Sequence, residues 1–200
     1  MADLVPWVFT SGWATGVNAY AVVLVMGLLG RHAGVDAIPV ALQRTEILVG
    51  AAVLYGLEFV ADKIPWLDST WDAVHTAIRP ILGAAIGLLL AGDASSVEQA
   101  LAAAAGGLSA LASHAVKAGL RAAINASPEP ASNIAVSVAE DVTVAGLITL
   151  AVAAPWLAAG VAATLLLAGL VLVVAVASRI RRHRERRRRR GEVLTGQPPV

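Results

Sequence analysis

Two rows of ionisable residues share one spacing. Asp72, His75 and Arg79 stand at i, i+3 and i+7, and His114, Lys117 and Arg121 repeat that pattern. Residues three and four apart are neighbours on a helix surface, so each row forms a stripe on one face. An acidic set completes the group: Glu58, Asp62, Glu140 and Asp141. His, Lys and Arg together can hold an anion or a phosphate head group. The adjacent pair Glu140-Asp141 can take up a proton, because two neighbouring carboxylates in a poor dielectric seldom both stay ionised. The plainer reading is that the acidic and basic sets pair with each other and hold helices in register. The sequence leaves both readings open.

Other chemistries have less to stand on. The chain carries no phosphate-binding Gly-rich loop with Lys, no GxSxG and no HExxH. Its four histidines are dispersed without a metal-ligand spacing, and it has no cysteine for disulfides or thiolate sites. No catalytic residue, metal or cofactor is expected. Asn18, Asn125 and Asn133 read as helix caps or interhelical hydrogen-bonding groups.

The elements that position these residues follow from composition. Of 200 residues, 58% are hydrophobic and only 14% charged, and the mean hydropathy is +0.73. A soluble domain has roughly a quarter of its residues charged. There is too little polar surface here to cover a core in water, and the expected class is an all-α, polytopic transmembrane bundle. From Val142 to Ser178 no residue is charged, a run of 37. One helix of that length would extend about 56 Å, against a hydrocarbon core of about 30 Å. The break is expected at Ala154-Pro155-Trp156, which gives a last helix over Pro155–Ser178. The helix before it must then begin near Asn133, which draws Glu140 and Asp141 to mid-membrane.

The same reasoning gives helices over Phe9–Leu29, Arg44–Ala61, from about Ser69 to Gly92, and Val97–Ile124, making about six in all. Ser69-Thr70-Trp71-Asp72 reads as the capping box of the third, and Pro80 as a kink within it. Asn125–Ser132 reads as a loop. The N-terminus, MADLVPW, has neither a basic n-region nor a cleavage site, so the first apolar segment is expected to be retained. The expected domains are a transmembrane unit over 1–178 and a basic, disordered tail over 179–200. Within the unit, 9–92 and 97–178 read as three-plus-three repeats, because Gly16-Val-Asn-Ala-Tyr-Ala lies on Gly107-Leu-Ser-Ala-Leu-Ala. Three helices per copy would invert the second in the membrane.

Nine of the fifteen Lys and Arg lie between Arg179 and Arg190. Arg179, Arg181 and Arg182 directly after the last span place the C-terminus in the cytoplasm, as an anchor of topology. This predicts a multi-pass inner-membrane protein, with anionic lipid contact by the tail, homodimer formation and no nucleic-acid partner.

Several stretches resemble a bacterial membrane family known as domain of unknown function 4126. They are Gly16-Val-Asn-Ala-Tyr; Glu58-Phe-Val-Ala-Asp-Lys-Ile-Pro with Asp68, Trp71-Asp72, His75-Thr76 and Arg79-Pro80; His114, Lys117 and Arg121; and Asn125-Ala-Ser-Pro-Glu-Pro with Asn133, Ser137 and Glu140-Asp141. The resemblance covers about Gly12–Leu150 and is most specific over Glu58–Arg79. It implies a small polytopic membrane protein and brings no activity with it. The preferred expectation of function is a permease- or channel-like protein for a polar, anionic solute or lipid head group. A non-catalytic scaffold or accessory subunit is the alternative, and an intramembrane enzyme comes third.

Overall fold

The computed structural model describes residues 3–124 and 130–195. Among these there are six α-helices, one short 3-10 turn and no strand. The helices are α1 (Leu4–Ala33), α2 (Thr45–Ala61), α3 (Pro65–Ala91), α4 (Ser96–Ile124), α5 (Pro130–Ala153) and α6 (Pro155–Thr195), with the turn at Val40–Gln43. Four of them, over Leu4–Ala33, Trp66–Ala91, Ala131–Ala153 and Pro155–His183, are long and apolar enough to cross a membrane. The protein is a membrane-embedded helical bundle.

α1 is the hub and touches all five other helices. Lipid tails are as apolar as leucine, so helices in a membrane associate through close packing of small residues rather than by hiding apolar surface. α1 carries Gly12, Ala14, Gly16 and Ala19, all buried. A Cβ added at Gly16 would fall on the Ser113 hydroxyl and the Ala110 carbonyl of α4. α3 and α4 meet as closely, the Gly83 backbone lying where a side chain on Gly106 would start. The outward faces of α2 (Val49, Val53, Leu57, Val60) and α6 (Leu157, Leu167, Val171, Val174) are exposed rows of branched apolar side chains. Lipid solvates such a surface and water does not.

Several boundaries differ from the sequence expectations. α3 begins at Pro65, with no side-chain cap and with proline in its first turn. Ser69–Asp72 therefore lies inside the helix instead of capping it, because proline at the first position supplies the fixed φ and needs no donor. The capping box that forms is at α4, where the Ser95 amide donates to Glu98 Oε2 at 3.0 Å and the Glu98 amide to Ser95 Oγ at 3.4 Å. The loop drawn over Asn125–Ser132 is shorter, since α5 starts at Pro130; its first part, with Asn125, lies outside the described residues.

The expected end at Ser178 gives way to helix as far as Thr195, and the rest of the expected tail, 196–200, lies outside the described residues. Arginine is a good helix former, no glycine or proline intervenes before Gly191, and Arg181 pairs with Glu185 at 3.0 Å. The break at Pro155 is where the sequence put it. A second break is not: Asn18, in the middle of α1, has φ −151° and ψ 99°.

A buried charge ladder at a broken helix

Asn18 divides α1 into two half-helices. Its side-chain carbonyl accepts the Ala21 amide at 3.0 Å, a cap for the second half. In an unbroken helix that amide would bond the Val17 carbonyl. Val17 is thereby freed, and its carbonyl accepts Lys117 Nζ at 3.0 Å. The neighbouring Gly16 carbonyl accepts an Arg79 guanidinium nitrogen at 2.8 Å. Cations thus cap the negative end of the first half-helix. The amide of the Asn18 side chain donates to Asp141 Oδ1 at 2.9 Å.

From this break the charged side chains run as a ladder of alternating sign. Arg79 bonds Glu58 at 2.6 Å, Glu58 meets Lys117 at 3.4 Å, and Lys117 meets Asp62 at 3.1 Å. Asp62 meets Arg121 at 3.2 Å, and Arg121 closes on Glu140 at 2.6 Å with a second bond through Nε at 3.2 Å. Lys117 also lies 3.5 Å from Glu140. Arg79, Arg121 and Glu58 are fully enclosed, at 0%, 1% and 0% exposure. Ions so far from water persist only when paired and hydrogen-bonded. The rungs come from α2 (Glu58, with Asp62 just past its end), α3 (Arg79), α4 (Lys117, Arg121) and α5 (Glu140), so the ladder ties four helices to the α1 break.

The histidines flank the ladder. His114 Nδ1 lies 2.8 Å from Arg79. A guanidinium can only donate, so Nδ1 is the acceptor and Nε2 carries the proton. That Nε2 faces the Asp72 carbonyl at 3.1 Å and the Thr76 hydroxyl at 3.1 Å. His114 is therefore a neutral strut between α3 and α4. His75 points Nδ1 at the Trp71 carbonyl, 2.8 Å away, and Nε2 at the Tyr20 hydroxyl, 3.0 Å away. It stacks on the Trp71 ring.

The structure thus brings all ten residues of the two stripes and the acidic set into one region. The acidic and basic sets meet directly, as ion pairs. A cavity of about 250 Å³ does reach Lys117 and Glu140 from one side, between Trp13, Val116, Val136 and Leu165, and Ser113 and Thr143 are the other polar residues in its mostly apolar walls. Arg179, Arg181 and Arg182 lie on the exposed extension of α6, away from the ladder. No group of three His, Asp or Glu among the described residues is placed to hold a metal ion.

Several further members stand outside the charged sets, although Asp68 and Asn133 belong to the stretches that carry the family resemblance and Asn133 reads as a cap or interhelical hydrogen-bonding group. Asp68 is buried at 0% exposure, 3.9 Å from Arg121. It extends the α3 stripe one turn back from Asp72, which was the available signal. Asn133 accepts Arg121 at 2.6 Å, and Tyr55 donates to Asp141 at 3.2 Å. In the turn between α2 and α3, Lys63 bonds the Phe59 carbonyl at 2.7 Å and Ser137 at 3.4 Å. Partial burial pushes its ammonium below the usual lysine range.

Residues 6–175 match the family described as Domain of unknown function (DUF4126). The chain belongs to that family. The span matched begins ahead of the α1 break and ends in the apolar part of α6, so the DUF4126 region holds the whole ladder and excludes the Arg179–Arg190 run. Searches of curated proteins and of solved structures returned no match.

Proposed function

We propose that this DUF4126 protein is a small permease- or channel-like protein that passes a polar solute across the inner membrane with proton uptake, by re-pairing its buried ladder. The observation that carries this reading is the break at Asn18. Discontinuous helices whose free backbone ends meet charged groups at mid-membrane are how many transporters build ion and substrate sites. Here the free carbonyls of Gly16 and Val17 are held by Arg79 and Lys117, which the ladder also claims. A switch between those two sets of partners would move one half of α1 against the other. Carboxylates in the cluster outnumber cations, six (Glu58, Asp62, Asp68, Asp72, Glu140, Asp141) to four (Arg79, Lys117, Arg121 and the half-buried Lys63), which favours proton or cation handling. An anionic cargo is not retained in this proposal, because every buried cation is already engaged by carboxylates.

The reading is non-enzymatic. It takes the C-terminus as cytoplasmic, from the Arg-rich end of α6, and includes a homodimer and anionic lipid contact by Arg179, Arg181 and Arg182. α6 has 41 residues, about 62 Å of helix, so its basic end stands clear of the hydrocarbon. The three-plus-three repeat belongs to the same proposal, with one difference between the halves. The break at Asn18 has no counterpart at Ser109, where α4 continues as helix.

The test is proton flux into vesicles of purified protein, reported by an enclosed pH-sensitive dye under an imposed gradient. Flux above that of empty vesicles, reduced in Glu58→Gln, is the expected result. If protein-containing vesicles are no leakier than empty ones, and Lys117→Met instead alters assembly with other membrane proteins, the scaffold reading replaces this one.

A further inference from the structure

Along the ladder the three cations Arg79, Lys117 and Arg121 are matched one for one by Glu58, Asp62 and Glu140. Three further carboxylates stand outside these three pairs, each with different surroundings. Asp141 accepts from Asn18 and Tyr55, and Asp68 interacts within its own surroundings. Asp72 is buried at 5% exposure, and neither of its oxygens accepts a hydrogen bond. Its nearest cation is Arg79, at 3.6 Å, beyond hydrogen-bond length. Arg79 is meanwhile shared by Glu58, the Gly16 carbonyl and His114. An ionised carboxylate with no donor in so enclosed a place is the costliest state a side chain can take.

We propose that Asp72 is the proton-binding site of the bundle: it is protonated in this conformation, and loss of the proton pulls Arg79 off the broken end of α1. This deepens the proton-linked reading above and rests on it for its consequence in transport. The groups around Asp72 come from every helix packed on α3. They are Glu58 and Asp62 from α2, Asp68, His75 and Arg79 from α3 itself, His114, Lys117 and Arg121 from α4, and Tyr20 of α1 through His75. A metal ion needs several ligands converging on one point, and the described residues hold no such group. A proton needs one oxygen. When the O–H bond breaks and the proton leaves to solvent, the ionised carboxylate draws the guanidinium across the remaining gap, at the expense of the Gly16 and His114 contacts. The α1 break then loses one of its two cationic clasps.

Infrared spectroscopy of the full protein in lipid nanodiscs reads the proton directly, through the carbonyl stretch of a buried carboxylic acid. Wild type should show that band at neutral pH and lose it at alkaline pH, and Asp72→Asn should lack it while remaining folded, since the amide copies the neutral acid. Hydrogen-exchange protection of the amides around Asn18 should fall at alkaline pH in wild type and hold in Asp72→Asn. The proposal is overturned if the band survives Asp72→Asn and disappears in Glu58→Gln or Asp62→Asn. Loss of the band on adding sodium at constant pH, or equal loss of protection in wild type and variant, overturns it as well. Absence of vesicle flux with both signatures intact would remove the transport reading and leave the Asp72 assignment standing.

Discussion

Asn18 and Asp141 are joined side chain to side chain at 2.9 Å, although 123 residues separate them. The same Asn18 caps the half-helix that follows it. One residue thus both breaks α1 and fastens the break to α5.

Asn18→Ala removes a cap and strands a carboxylate oxygen. A lost cap costs about 1 kcal/mol, and the stranded Asp141 Oδ1 adds to it. Thermal unfolding in detergent should show a clear drop in melting temperature. Asn18→Ser, which can still cap but is too short to reach Asp141, should fall between the two. Equal stability of wild type and Asn18→Ala would mean that the break is held from elsewhere.

The Glu58–Arg79 rung is fully enclosed. Breaking a buried pair by removing one partner costs about 3–5 kcal/mol, whereas replacing both with apolar groups is far milder. Arg79→Met should therefore destabilise more than Arg79→Met combined with Glu58→Met. A double-mutant cycle from unfolding in mixed micelles measures the difference. Additive losses would show that the two residues do not act as a pair.

Two glycines should respond to alanine with opposite sign. At Gly16 a new methyl would collide with Ser113 and Ala110, while at Gly146 nothing stands within 4 Å. Overpacking of this kind costs about 1–3 kcal/mol, and Gly→Ala in an open helix position gains up to about 1 kcal/mol. Melting curves of Gly16→Ala and Gly146→Ala decide it, and a stabilised Gly16→Ala would contradict the close α1–α4 contact.

With no native cysteine, single-cysteine labelling reports topology cleanly. Asp36→Cys, in the exposed link after α1, and Arg182→Cys, on the exposed extension of α6, should react from opposite sides of the membrane. A membrane-impermeant thiol reagent on intact cells should label Asp36→Cys alone. Labelling of both from one side would reduce the number of crossings.

The sequence by itself determined that this chain lives in lipid, where its helices lie, and which charges they carry to depth. These are properties of single segments. A run from Val142 to Ser178 without a charge must be folded into two helices, and Glu140 and Asp141 must go in with the first. Pro155 marks the joint because proline suits the first turn of a helix, and a single helix through it would be too long for the bilayer. Capping was less legible: Ser69–Asp72 and Ser95–Glu98 each carry residues that can cap, and what lies upstream, Pro65 in the first case, decides which is used.

What only the tertiary structure decided is who meets whom. Arg79 could have faced Asp72 on its own helix. It bonds Glu58 of α2 at 2.6 Å instead and leaves Asp72 at 3.6 Å. The break at Asn18 was invisible in sequence, since asparagine in an apolar segment caps, bridges or simply points at a neighbour. It breaks the helix here because Lys117 and Arg79 are present to take the carbonyls that the break exposes, and Asp141 to take its amide. Each of those partners comes from another helix, and local sequence carries no record of how helices cross.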